Sequence, residues 1–147
     1  MTWNSINFVP GEFPEDPRQH AVPALIARLD EWRNTLGVPI HPSPVPGALA
    51  RFHGSEKSRH YAVGRKSDAV DVFVEGSQAA AWMAALPLFG GVGFYIDTAY
   101  KGKQRPMFHV DLRPEPLYWL RSGGSKYTYA NTTVGRAALL RLLAEYG

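Results

Sequence analysis

The chain has 147 residues, enough for one domain with a substantial core and too few for two ordinary ones. Its composition, 45% hydrophobic and 20% charged, excludes a disordered chain, and the lack of any cysteine excludes disulfides, thiolate metal sites, iron–sulfur clusters and cysteine nucleophiles. The net charge of +3 suits a polyanionic partner, but the basic residues are scattered (Arg59, Arg65 and Lys66; then Lys101, Lys103 and Arg105), so no nucleic-acid footprint is expected.

Residues 1–20, rich in Pro, Gly and acidic groups, read as an extended lead-in to a single domain spanning 1–147. The first residues show neither the basic nor the apolar region of a secretory signal, so synthesis in the cytoplasm is expected. Residues 23–36 form the first helix: Pro23 suits its first turn, Leu25, Leu29, Trp32 and Leu36 make an apolar stripe, and Gly37 stops it. Residues 38–40 can form only a short edge strand because of Pro39. The Pro/Gly-rich stretch 42–57 is irregular and long enough to suggest a functional loop.

Residues 69–74 alternate as a strand, and 77–88 read as a helix with Ser77 as its N-cap. Gly90 and Gly91 end that helix, and 92–96 form a second strand. The apolar stretch 79–93 is interrupted by Pro87 and glycines and falls short of a membrane span, so no membrane insertion is expected. After a polar loop at 97–106, residues 107–112 make a third strand, and 127–129 a short fourth one beyond the glycine turn at 122–124. Residues 133–146 form a terminal amphipathic helix through Ala137, Leu140 and Leu143. Together these elements predict an α+β fold, a small antiparallel sheet with helices packed on one side.

Without cysteine, a metal would have to be held by His, Asp or Glu. Along residues 107–111, Met107, His109 and Asp111 point to one face, and Phe108 and Val110 to the other. A His and an Asp side by side on one strand face need partners when buried, and a metal or a substrate would supply them. Asp71 is likewise fixed by a rigid strand between Val70 and Val72. His53 is a weaker alternative ligand in a loop, while His20 and His41 read as surface groups. Trp119 reads as core or groove wall.

These residues fall into an order that resembles a known family. Zinc D-alanyl-D-alanine peptidases, with related phage endolysins and the hedgehog signalling domain, carry Ser-x-His-x-x-Gly-x-Ala-x-Asp, then a Gly-x-Gly-x-Tyr strand, then Phe-x-His-x-Asp. This chain has Ser58-Arg59-His60, Gly64, Ala69-Val70-Asp71, Gly91-Val92-Gly93-Phe94-Tyr95 and Phe108-His109-Val110-Asp111, a likeness spanning roughly residues 37–121. The first motif is stretched, with one residue added before Gly64 and three between it and Ala69. The resemblance implies a hedgehog/D,D-peptidase-like fold and Zn2+ held by His60, Asp71 and His109. Asp68 lies nearer the family's distance from His60, but Asp71 keeps the Ala-x-Asp context and the strand setting.

The implied activity is hydrolysis of peptide bonds in bacterial peptidoglycan, in stem or cross-link peptides containing D-amino acids. The resemblance further implies Ser58 bonded to a metal-bound carboxylate and Arg51 holding a substrate carboxylate, while Arg113 reads as a brace on a carboxylate such as Asp111. Many relatives place the general base three residues before the last histidine, where this chain has Pro106. Asp97 and Asp111 are the remaining candidates for that base, with Asp97 slightly favoured. A phage or prophage endolysin reaching the wall after holin-type release fits these features. Alternatives are a metal-binding wall-binding module without catalysis and a phage structural protein of the same fold.

Overall fold

A computed structural model of the chain describes residues 3–124 and 126–147. Residues 1 and 2 of the expected lead-in lie outside the described residues. The rest of the lead-in is built into the fold: a 3-10 turn (Pro10–Glu12) and a short helix α1 (Pro17–His20) follow Phe8, and Phe8 and Phe13 are buried in the core. Helix α2 (Pro23–Leu36) carries Pro23 in its first turn and buries Leu25, Ile26, Leu29 and Trp32. Gly37 ends it at a φ of 67°, the left-handed conformation that glycine adopts without steric penalty.

The strands are β1 (Ile40–Pro42), β2 (Ala69–Val74), β3 (Gly91–Tyr95), β4 (Ala99–Tyr100), β5 (Lys103–Gln104), β6 (Met107–Asp111), β7 (Leu117–Arg121) and β8 (Tyr127–Tyr129). Helix α3 (Gln78–Ala85) begins where the Ser77 hydroxyl accepts the Ala80 N–H, and α4 (Thr133–Glu145) closes the chain. Strands β4 and β5 form a separate small hairpin within the stretch expected as loop. The main sheet has six strands in the order β1-β2-β6-β3-β7-β8.

That sheet is mixed, which corrects the antiparallel expectation. All its pairs are antiparallel except β3–β7. After β6, the chain passes over β3 and runs back on its far side, so β7 points the same way as β3. Strand β7 itself was not anticipated, because Leu-Tyr-Trp-Leu-Arg shows no polar alternation.

The two faces of the sheet divide the labour. Val70, Val72, Phe94, Phe108, Val110 and Leu120 enter one apolar core with α2, α3 and α4. Trp32 meets Phe108 edge-on at 5.5 Å, and its indole N–H donates to the Ala81 carbonyl of α3 at 3.0 Å, so the largest core side chain also satisfies its polar atom. Burying each such side chain contributes about 1.5–3 kcal/mol. In α4 the buried face runs through Gly135, Leu139 and Leu143, not through Ala137 and Leu140, which are exposed. A side chain at Gly135 would overlap the Tyr129 carbonyl, so the helix turns this glycine toward the sheet. Among the described residues, no helix is long and apolar enough to cross a membrane.

Candidate metal centre

Register sets the polar face of the sheet. Asp71 of β2 lies opposite His109 of β6, His109 opposite Gly93 of β3, and Gly93 opposite Trp119 of β7. Alternation puts Met107 and Asp111 on the same face as His109, and Gly91 and Tyr95 on the same face as Gly93. The two glycines explain themselves here. A Cβ at Gly91 would overlap the Asp111 carboxylate, and one at Gly93 would overlap the Trp119 indole. The Gly-x-Gly strand therefore leaves room for two side chains that reach across it.

His60 comes from outside the sheet, on the turn after the 42–57 loop. Its Nε2 lies 3.2 Å from His109 Nδ1 and 3.2 Å from Asp71 Oδ1, and His109 Nδ1 lies 3.0 Å from that same oxygen. All three residues are buried. Both tautomers are fixed from behind. His60 Nδ1 is 3.2 Å from the Leu49 carbonyl, which can only accept, so Nδ1 carries the proton and Nε2 presents a lone pair. His109 Nε2 donates to Asp111 Oδ2 at 2.7 Å, which turns Nδ1 toward the cluster.

Three lone-pair-bearing atoms thus converge within 3.2 Å of one another, an arrangement that repels itself unless a proton or a cation lies between them. A tetrahedral ion bonded at about 2.0–2.1 Å separates its ligand atoms by about 3.3 Å. The donor set therefore fits a metal ion, and His60, Asp71 and His109 could hold one. A histidine backed by a carboxylate, as His109 is by Asp111, is the usual support for a metal ligand.

The local charges are set by the same contacts. Burial disfavours the charged forms, but hydrogen bonds to Asp111 and Asp71 outweigh it at His109, whose pKa is pushed up to about 9. Burial opposes ionisation of Asp71 as well, yet His60 and His109 hold its carboxyl well below the ordinary range. Asp111 is held low in the same way, by Arg113 and His109 against burial.

The other expected site residues fall into place around this cluster. Asp68 pairs with Arg59 through both carboxylate oxygens and takes no part in the cluster. Ser58, expected to bond a carboxylate, instead accepts the His60 backbone N–H at 3.2 Å and shapes the turn. Arg113 donates from Nε and an Nη to the two oxygens of Asp111, at 2.8 and 2.7 Å. Asp111 is fully buried and both its oxygens are engaged, so it supports His109 and is not free to act as a base. Asp97, the other candidate base, is bonded to Arg121 at 2.9 Å and does not line the cavity above the cluster. Arg51 is at the cavity rim, with its Nε donating to the Gly47 carbonyl. His20, His41 and His53 lie outside the cluster.

One residue escaped sequence reasoning altogether. The Glu15 carboxylate accepts the backbone N–H groups of Gly47, Leu49 and Ala50 at 2.7–3.1 Å. This short loop then contacts two of the three cluster residues: the Leu49 carbonyl accepts from His60, and the Ala48 carbonyl accepts the Asp71 N–H at 2.9 Å. Glu15 and the loop are more than thirty residues apart, and no local pattern links them.

Above the cluster opens a cavity of about 680 Å3. Arg51, Lys57, Arg59, Arg113 and Arg121 line it, and among the described residues Asp71 is the only carboxylate that does. Arg59, Arg113 and Arg121 are paired with Asp68, Asp111 and Asp97, so among the described residues Arg51 and Lys57 are the lining cations left to meet an anionic group. Comparison with known proteins returns no matching family, no matching curated protein and no matching solved structure.

Proposed function

We propose that the protein is a zinc-dependent peptidase that hydrolyses peptide bonds in bacterial peptidoglycan. The observation that carries this reading is the convergence of His60 Nε2, Asp71 Oδ1 and His109 Nδ1 at the floor of an open, cation-lined cavity. Three protein ligands leave a fourth position for water or substrate, the pattern of catalytic zinc sites. When bound, zinc supplies Lewis-acid polarisation of a carbonyl and makes a water acidic near neutral pH.

The chain's own residues do the rest. Leu49 and Asp111 hold the two imidazoles in the tautomers a metal requires. Arg51 and Lys57 at the rim attract the carboxylates that stem peptides carry. An endolysin released by a holin is the biological setting this reading implies. The donor set suits ferrous iron as well as zinc, so metal analysis is part of the test.

A second reading has its own observation. Among the described residues no carboxylate other than Asp71 lines the cavity, and Pro106 stands where the resembling peptidases have a base. That favours a metal-binding module that holds wall peptides without cutting them. Purified sacculi incubated with zinc-loaded protein separate the two. New amino and carboxyl termini, abolished by a chelator and restored by zinc, support the peptidase. Stoichiometric zinc with wall binding but no new termini supports the module. Protein that takes up no metal contradicts both.

A further inference from the structure

We propose that Tyr95 is a catalytic residue of this site, its phenolic O–H donating a hydrogen bond to the oxygen of the scissile carbonyl as that oxygen gains negative charge. The proposal rests on the peptidase reading above. It begins with β3, whose site face carries Gly91, Gly93 and Tyr95 in succession. The glycines are covered by the Asp111 carboxylate and the Trp119 indole, so Tyr95 is the one side chain that β3 itself offers to the cavity.

Its hydroxyl is oriented. Trp119 Nε1, which can only donate, is 3.0 Å from Tyr95 Oη, so the phenol accepts that bond and keeps its own proton for another partner. Among the described residues, no group accepts the Tyr95 O–H. The position is set by the same contact. The Trp119 indole nitrogen lies over Gly93, the register partner of His109, and the Trp119 and His109 rings are 5.2 Å apart. A hydroxyl bonded to that nitrogen lies on the site face of β3, and Tyr95 lines the same cavity as His60, Asp71 and His109. The Arg121 guanidinium lies 4.4 Å above the Tyr95 ring and holds it in place.

Its chemistry suits a donor. Burial pushes the Tyr95 pKa up to about 12, against the hydrogen bond from Trp119, so the phenol is neutral at physiological pH. In hydrolysis, water oxygen adds to the carbonyl carbon and the carbonyl π pair moves onto its oxygen. The proton that the attacking water gives up passes to solvent in the open cavity, and when that pair returns the C–N bond breaks and the amine takes a proton from the same solvent. Tyr95 loses no proton in this sequence. It stabilises the oxygen charge at its maximum, which is where a preorganised donor lowers a barrier most.

The test uses zinc-loaded wild-type protein and Tyr95→Phe, which keeps the ring under Arg121. A stem-peptide substrate gives kcat and KM, and a phosphinate pseudopeptide, a tetrahedral anion in place of the scissile amide, gives an affinity without turnover. The expected result is a kcat lower by about 10²–10³, the effect of losing one such donor. KM and zinc content stay unchanged, and phosphinate binding weakens by a similar factor. A Tyr95→Phe enzyme with wild-type kcat and wild-type phosphinate affinity overturns the proposal and leaves the peptidase reading standing. Wild-type protein that holds zinc but cuts nothing and binds no phosphinate overturns both.

Discussion

His60 and His109 face each other across 3.2 Å, yet they are held by different means. His109 belongs to a central strand, paired on one side with Asp71 and on the other with Gly93, and the alternation that exposes it to the site buries Phe108 and Val110 in the core. Its position is a by-product of the sheet. His60 belongs to a turn and depends on a loop that is no strand of the sheet, although its Ala48 carbonyl accepts the Asp71 N–H of β2. That loop is held by the Glu15 carboxylate and presents the Leu49 carbonyl to the imidazole. The comparison teaches that half of this site comes with the fold, while the other half needs a clamp of its own.

The strand half breaks most completely at His109. His109→Ala removes a cluster atom and leaves the buried Asp71 and Asp111 carboxylates without the cation between them. Stoichiometric zinc should be lost on dialysis, and the metal-free fold should lose about 3–5 kcal/mol in denaturant titration. Asp111→Asn keeps the shape and removes the charge behind His109. Zinc affinity, measured by competition with a chromophoric chelator, should fall about 10–100-fold.

The loop half breaks at Glu15. Glu15→Gln should weaken zinc binding about tenfold, at the low end of the range for supporting groups. Hydrogen exchange should rise at Gly47, Leu49 and Ala50, and at Asp71, whose N–H bonds to the Ala48 carbonyl, while the amides of β6 stay protected. Equal loss of protection in β6 would show that the two halves are not separately held. Gly93→Ala acts from the strand side by pushing the Trp119 indole out of its place, and overpacking of this kind costs about 1–3 kcal/mol.

Protons sharpen the same contrast, because the raised pKa belongs to the strand half. In metal-free protein, the His109 shift gives stability that is full below its unfolded value near 6.5 and is lost as pH rises through about 9. Asp71 and Asp111 have depressed pKa values, so their contribution is present above 3.8 and is lost as pH falls through their folded values. Thermal melts should therefore fall on both sides for metal-free protein. Zinc-loaded protein should lose the alkaline decline, since an ion takes the place of the proton on His109 Nδ1.

The strand half was also the legible half. Period-two alternation alone put His109 and Asp111 on one face and Phe108 and Val110 on the other, and it separated Asp71 from Val70 and Val72. Asp68, nearer His60 in sequence, turned out to serve Arg59. What stayed hidden depends on contacts between distant segments. The parallel β3–β7 pair follows from a connection that passes over a strand, and Trp119 reveals its place only once Gly93 is seen beneath it. Glu15 sits in a stretch that reads as an extended lead-in, although its carboxylate organises the loop behind His60. Pro106 stands where the resembling peptidases place a base, and the structure shows that Asp111 and Asp97 are both bonded to other groups.

X-ray absorption at the zinc edge of the purified, zinc-loaded protein tests the central claim most directly. The account predicts one ion per chain with two imidazoles and oxygen ligands at about 2.0–2.2 Å, losing one imidazole in His60→Ala. An ion shell without imidazole scattering, or one unchanged in His60→Ala, would contradict it.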